Sequence, residues 1–246
     1  MVIRLKKVLS IFLGMVLIIL GIIFFFYGIK IPLSSDNSSA STVMSNKIDA
    51  SKPMVAITYD DGPYGPVTER ILNSLKSVNG RATFFVVGSR IKGREGTIKM
   101  IDDYGSEIGN HTFSHILLTK LTRDGIALEI NKSEELIFQI TGKHTKLIRP
   151  PCGCYNSYTK EVINKPIVLW TIDTMDWSHQ NKSQTYKRVI ENVKDGDIIL
   201  MHDLFTPTAE ASEMIIPELA KMGFQLVTVS ELIEYKKDIK GIILNS

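Results

Sequence analysis

From residue 53 onward, short β-branched apolar runs alternate with longer segments whose apolar residues recur every three or four positions. The first pattern predicts strands and the second predicts helices. The predicted strands are Val55–Tyr59, Thr83–Val87, Glu107–Gly109, Lys146–Ile148, Ile167–Ile172, Asp197–Met201 and Gln225–Val229. The predicted helices are Thr68–Val78, Arg94–Tyr104, Arg123–Thr141, Asn156–Ile163, Lys182–Val193 and Glu210–Met222. This alternation favours the α/β class, with a parallel sheet of seven strands that closes into a barrel or stays partly open.

The longest apolar run is residues 8–29. Its 22 residues would give a helix of about 33 Å, which exceeds a hydrocarbon core of about 30 Å. Three basic residues lie in the preceding segment 1–7, and basic flanks stay in the cytoplasm. We therefore predict a single transmembrane anchor at 8–29 in the cell membrane, with segment 1–7 in the cytoplasm and the remainder outside the cell.

A cleaved signal peptide is the alternative for this segment. Its apolar region would span about 7–15 residues and end at a small-residue cleavage site. The run here is longer, and the nearest such site, Ser38-Ser39-Ala40, lies well beyond its end. The following residues, 30–52, are rich in serine and lack apolar periodicity, which is typical of a flexible linker.

The charge of the body, residues 53–246, is nearly balanced. It carries 23 Lys and Arg against 24 Asp and Glu, whereas residues 1–52 carry six against two. A nucleic-acid-binding protein would show a clustered basic face, so this class is not expected. The balance suits a neutral, polar substrate, and nothing in the sequence predicts a protein partner.

Five short clusters contain most of the reactive side chains, including three of the five histidines. Four of them begin where a predicted strand ends, and the fifth follows the short strand Glu107–Gly109. The carboxyl ends of parallel strands meet at one rim of a barrel, so all five can converge there. The clusters are Thr58-Tyr59-Asp60-Asp61-Gly62, His111-Thr112-Phe113-Ser114-His115, Arg149-Pro150-Pro151-Cys152-Gly153, Asp173-Thr174-Met175-Asp176-Trp177 and Leu200-Met201-His202.

The first two clusters offer the donors of a metal site. On a helical turn, the spacing of His111 and His115 would place both imidazoles on one face, within reach of one ion. Such pairs also occur as ordinary structural histidines. Adjacent residues of an extended chain point in different directions, so either Asp60 or Asp61 could bind a metal while the other acts as a base. A solvated turn is the alternative for this pair.

The other three clusters offer proton transfer and orientation. Arg149 could pair with a carboxylate base, and the prolines after it could hold the backbone N–H at Cys152 rigidly, as an oxyanion donor requires. The fourth cluster offers an orienting carboxylate, from Asp173 or Asp176, beside an aromatic wall. His202 is the natural general acid. Each feature taken alone is also compatible with a purely structural role.

Cys152 and Cys154 are the only cysteines. A disulfide between them would close a very tight loop with strained geometry, so we expect two unbonded thiols. A zinc site that uses both cysteine and histidine is the alternative.

Taken together and in this order, the five clusters resemble those of the polysaccharide deacetylases with NodB homology, carbohydrate esterase family 4. The resemblance spans about residues 53–235. It implies a distorted, partly open (β/α) barrel of about seven strands. It also implies a divalent metal, commonly zinc, held by Asp61, His111 and His115, with Asp60 as catalytic base and His202 as catalytic acid.

The same resemblance implies further roles. Arg149 would orient Asp60, and Asp173 would tune His202. Trp177 and Leu200 would line the pocket around the acetyl group. Cys152 is a departure, because relatives often have Tyr at this position; its backbone N–H would still help to bind the oxyanion. Certain relatives that act on muramic residues have Asn at the position of Asp61, so this chain resembles the metal-dependent branch.

The implied reaction is metal-dependent removal of N-acetyl groups from a cell-wall N-acetylglucosamine polymer, with peptidoglycan as the expected substrate and acetate as a product. The catalytic set does not separate an amide from an ester, so an O-acetyl esterase acting on xylan or another surface polysaccharide remains an alternative. A non-catalytic glycan-binding module is another. A non-haem iron oxygenase would also use two histidines and a carboxylate, but the sequence shows no evident cosubstrate site.

Overall fold

The computed structural model describes residues 48–237 and 239–243. The predicted anchor at 8–29 and most of the linker at 30–52 lie outside the described residues. Within the described part of the chain, no helix is both long and apolar enough to cross a membrane. The anchor therefore stays a prediction from the sequence.

A parallel sheet forms the centre of the fold, which confirms the predicted α/β class. Its main strands run in the order β3-β2-β1-β6-β5, and β7 pairs with the first residues of β1. A short strand β4 is linked to β3 through isolated parallel bridges at Ile148, so strand pairing continues beyond β3. The strands are β1 (Met54–Asp60), β2 (Thr83–Val86), β3 (Glu107–Asn110), β4 (Ile167–Val168), β5 (Ile172–Asp173), β6 (Asp197–His202) and β7 (Gln225–Leu226).

Three predicted strands differ from the structure. The predicted strand Gln225–Val229 ends at Leu226, and its last residue, Val229, begins a short helix that Thr228 caps. Lys146–Ile148 contributes only the single-residue bridges at Ile148. Ile167–Ile172 is interrupted between β4 and β5, because the Arg149 side chain donates hydrogen bonds to the carbonyls of Val168 and Leu169. A last strand, β8 (Ile242–Ile243), pairs antiparallel with β4 and was not predicted.

Six of the helices match the predictions closely. They are α1 (Gly65–Ser77), α2 (Glu95–Asp103), α3 (Arg123–Thr141), α4 (Ser157–Val162), α6 (Lys182–Ile190) and α7 (Thr206–Lys221). Helix α7 begins four residues before the predicted start, with a proline in its first turn, where the missing N–H has no consequence.

Two short helices, α5 (Asp176–His179) and α8 (Val229–Tyr235), were not predicted. Helix α8 starts at a capping box in which Thr228 and Glu231 bond reciprocally. That Thr-x-x-Glu pattern is a start signal visible in the sequence.

Strand β1 is buried on both faces, as expected for a parallel strand between two apolar layers. Val55, Ile57 and Tyr59 pack in the larger apolar core, whereas Met54 and Ala56 belong to a second core on the other side. Successive side chains alternate between the two faces. The last residue of β1, Asp60, pairs in register with His202 at the end of β6, which brings two predicted catalytic groups to one rim.

Candidate active site

The residues predicted to bind a metal lie together at the rim. Oδ1 of Asp61 is 3.6 Å from Nε2 of His111 and 3.1 Å from Nε2 of His115. In a tetrahedral site with metal–ligand bonds of about 2.0–2.1 Å, ligand atoms are separated by about 3.3 Å. Oδ1 of Asp61 is also buried without a hydrogen-bond partner among the described residues, which is costly for a carboxylate unless a cation is present. The donor set therefore fits a divalent metal such as zinc.

His111 is held in the orientation that metal binding needs. Its Nδ1 lies 2.6 Å from the carbonyl oxygen of Arg149, so Nδ1–H donates and the lone pair of Nε2 points to Asp61. Burial lowers the pKa of His111, more than the nearby Asp60 and Asp61 charges raise it. The imidazole is therefore neutral, as a metal ligand must be.

The segment that carries both histidines is not a helical turn, so this part of the prediction is wrong. It is a loop after β3 in which Thr112 and His115 have positive φ angles of 66° and 57°. The two imidazole rings nevertheless approach to 4.9 Å between centroids. Both histidines reach one ion through loop geometry rather than through helical spacing.

Arg149 is fully buried and contacts Asp60, as predicted. Its Nη1 donates to Oδ1 of Asp60 at 2.6 Å and to the hydroxyl of Thr58 at 2.8 Å. Its Nε and Nη2 donate to the carbonyls of Val168 and Leu169. The guanidinium therefore has a single orientation, and it fixes that of the Asp60 carboxylate. The part played by Thr58 was not predicted.

The partner of His202 is Asp176, not Asp173. Nδ1 of His202 lies 2.8 Å from Oδ1 of Asp176, whose Oδ2 accepts from the His202 backbone N–H and from the hydroxyl of Thr208. Burial alone would lower the pKa of His202, but the hydrogen bond and charge of Asp176 outweigh burial and raise it to about 9. The imidazole is therefore protonated at neutral pH.

The prediction that Asp173 tunes His202 is wrong for a reason of register. Asp173 ends β5 and pairs with Leu200, two residues before His202. Its carboxylate accepts a hydrogen bond from the Met175 backbone N–H at 2.8 Å. The carboxylate that lies beside His202 is that of Asp176, the first residue of α5, which the chain reaches only after it leaves β5.

Comparisons with known proteins agree with this site. Residues 47–167 match the family model described as polysaccharide deacetylase. The peptidoglycan-N-acetylmuramic acid deacetylase PdaC of Bacillus subtilis is 40% identical over 190 residues, which are 77% of this chain and 41% of PdaC. A peptidoglycan-N-acetylglucosamine deacetylase of Bacillus cereus is 33% identical over 198 residues, covering 77% of this chain and 92% of the relative.

The chain belongs to the polysaccharide deacetylase family.

Solved structures of this family have the same fold. The structure of PdaC superposes with a TM-score of 0.75 at 39% identity, covering 76% of this chain and 93% of that one. A family 4 acetyl xylan esterase from Clostridium thermocellum, solved with a cobalt ion, gives a TM-score of 0.70 at 34% identity, with 74% and 90% covered. The chain spans about two fifths of the full length of PdaC.

The site opens into one cleft of about 350 Å³. It brings together all the predicted site residues except Arg149, which lies buried beneath Asp60. Trp170 also lines the cleft, and it was missed because it falls inside a predicted strand. The lining residues are Asp60, Asp61, His111, His115, Cys152, Trp170, Asp173, Trp177, Leu200 and His202.

Aromatic and thiol groups border this cleft. Trp177 is 49% exposed, as a platform for a sugar would need to be, whereas Leu200 is buried. Cys152 has a positive φ of 58°, and both Cys152 and Cys154 are free thiols, as predicted. Among the described residues, the group able to hold a metal contains no cysteine, so the Cys/His zinc alternative gains no support.

Gly62, next to the paired carboxylates, has no room for a side chain. An added Cβ would lie 2.2 Å from Oδ1 of Asp203. Asp203 is buried and is held by the hydroxyl of Thr68 at 2.5 Å. We expect Gly62→Ala to lower the free energy of unfolding by about 1–3 kcal/mol, because a packed neighbour must move. Denaturant unfolding measures this change.

The matched control is Gly96→Ala in helix α2, where an added Cβ meets nothing within 4 Å. The same substitution there should leave the free energy of unfolding unchanged or raise it by up to about 0.5 kcal/mol, because alanine favours a helix but Gly96 lies in its first turn. Equal effects of the two substitutions would contradict the packing argument.

Proposed function

We propose that this chain is a metal-dependent N-deacetylase that removes acetyl groups from N-acetylglucosamine residues of peptidoglycan. The observation that supports this most is the arrangement of two proton-transfer groups around one metal triad. Oδ2 of Asp60 lies 3.7 Å from Nε2 of His111, and His202 lines the same cleft. A base, an acid and a metal position within one cleft suit hydrolysis of an acyl group.

When bound, a divalent metal polarises a carbonyl and lowers the pKa of water. Asp60, oriented by Arg149, accepts the proton of the attacking water. The backbone N–H of Cys152 donates to the developing oxyanion. His202, kept protonated by Asp176, gives its proton to the leaving amine. Water and the N-acetyl sugar thus become acetate and a free amino sugar.

The choice of glycan rests on sequence and relatives together. The near-neutral body suits a neutral, polar sugar residue as substrate, and the proposed anchor at 8–29 would hold the enzyme outside the cell, beside the wall. The relatives described above are named for two peptidoglycan sugars, N-acetylmuramic acid and N-acetylglucosamine. Asp61 completes the metal triad, and this favours the metal-dependent branch of the family.

O-acetyl ester hydrolysis is the second candidate. Its support is the similarity to the Clostridium thermocellum acetyl xylan esterase. The geometry of base, triad and acid serves either reaction, because the two differ only in the leaving group that His202 protonates. Direct comparison of substrates is therefore required.

The test is acetate release by the full-length chain from peptidoglycan, chitin oligomers and acetylxylan, after chelation and after zinc is restored. We expect release from peptidoglycan that falls at least about 100-fold on chelation, as for loss of a major electrostatic contribution. Mass spectrometry of the digested product would show the deacetylated sugar. Release from acetylxylan alone would establish the esterase, and no release despite bound zinc would favour a glycan-binding module.

A further inference from the structure

The loop between the two histidine ligands, residues 111–115, lacks the internal hydrogen bonds of a helix. Its backbone N–H groups at Phe113 and Ser114 instead donate to Oε2 of Glu129, at 3.1 and 2.7 Å. The Ser114 hydroxyl donates to the other oxygen, Oε1, at 2.7 Å. We infer that Glu129 is a positioning residue that sets the separation of His111 and His115, an inference that rests on the proposed function.

The opposite side of this loop is held by the backbone that follows β2. The N–H groups of Gly88 and Ser89 donate to the carbonyls of Thr112 and Phe113, at 3.0 and 2.8 Å. Glu129 lies on α3, so the loop is clamped between a strand end and a helix. The segment after β2 supplies donors to the loop carbonyls, and Glu129 supplies the acceptor for the loop N–H groups of Phe113 and Ser114.

Helix α3 makes a second contact with the same loop. Nζ of Lys132, one turn after Glu129, lies 3.6 Å from the centroid of the Phe113 ring. Cation–π contact fixes the ring, whereas Glu129 fixes the backbone on either side of it. Together they hold the residues between the two ligands against one helix.

The loop conformation needs such support. Thr112 and His115 both have positive φ, a region that L-residues with side chains rarely adopt unless the surroundings impose it. Among the described residues, every hydrogen bond found for the Glu129 side chain goes to this loop. Loss of the carboxylate would release two N–H groups, and the His115 imidazole would move relative to His111.

The test is zinc affinity of the full-length chain, measured by chelator competition, for Glu129→Ala and Glu129→Gln. We expect Glu129→Ala to weaken zinc binding about 10- to 100-fold, as for other residues that orient metal ligands. Glu129→Gln should recover part of this loss, because its amide oxygen still accepts. The control is Glu135→Ala on the same helix, whose carboxylate contacts the exposed Gln139 and should leave affinity unchanged.

The outcomes separate the two proposals. Failure of the unmodified chain to bind zinc would overturn the proposed function itself. Zinc binding by the unmodified chain, with Glu129→Ala within twofold of it, would overturn the positioning role of Glu129. If Glu129→Ala does not fold without metal, Glu129→Gln provides the measurement, since its amide can accept from the loop through one atom only; unchanged zinc affinity there would count against the role.

Discussion

Replacement of Asp60 by Asn is expected to lower acetate release by about 10²- to 10⁴-fold, the usual contribution of a general base. The amide keeps the shape of the side chain and can still accept from Arg149, but it cannot take a proton from water. Zinc affinity should change little, because the donors that lie together around one metal position are Asp61, His111 and His115, and Asp60 is not among them. Steady-state acetate release and chelator competition, measured on the same preparation, test this expectation.

Asp61→Asn is the matched control, since it changes the neighbouring carboxylate in the same way. It should lose activity through weaker zinc binding, and added zinc should recover part of the rate. Because Arg149 is buried and loses its charged partner in Asp60→Asn, unfolding of that variant must be measured as well. A folded Asp60→Asn variant with near-normal acetate release would show that Asp60 is not the base.

The second large effect is expected for Asp176→Asn. Without the carboxylate, the pKa of His202 should fall from about 9 toward its ordinary value near 6.5, because burial lowers it and only the charges of Asp60 and Asp61 still raise it. The pH at which the rate falls on the alkaline side of the pH–rate profile should decrease by the same amount. At pH 8 we expect a loss of at least about 10-fold from deprotonation of the acid. A pH–rate profile between pH 5 and 10 measures both effects.

Asp173→Asn is the control for this prediction. The Asp173 carboxylate accepts from the Met175 N–H and does not contact His202, so the alkaline limb should stay near pH 9. A shift of the limb in Asp173→Asn but not in Asp176→Asn would restore the role that the family resemblance first implied.

The same pair should make stability depend on pH. The folded pKa of His202 is raised above its unfolded value, so its contribution is complete below about pH 6.5 and is lost as pH rises toward about 9. The folded pKa of Asp176 is lowered: burial opposes this shift, and the His202 bond and charge outweigh burial. Its contribution is therefore lost only as pH falls below about 4. Asp176→Asn should remove most of the alkaline dependence.

Local patterns in the sequence were sufficient for the fold class and for the set of reactive residues. Apolar residues recur with a period of two in strands and 3.6 in helices, and these periods depend only on neighbouring positions. The predicted ends therefore lie within one residue of the observed ends for β1, β6 and the long helix α3. Reactive side chains at the ends of predicted parallel strands had to converge at one rim. Asp60, Asp61 and His202 were placed in the site by this argument.

Only the tertiary structure decided which of these residues touch. The choice between Asp173 and Asp176 depends on strand register and on the turn into α5, and the hydroxyl that supports Asp176 comes from Thr208, 32 residues away. The histidine loop takes its shape from Glu129 on α3 rather than from its own spacing. Contacts between distant segments are set by packing, and no local period encodes them.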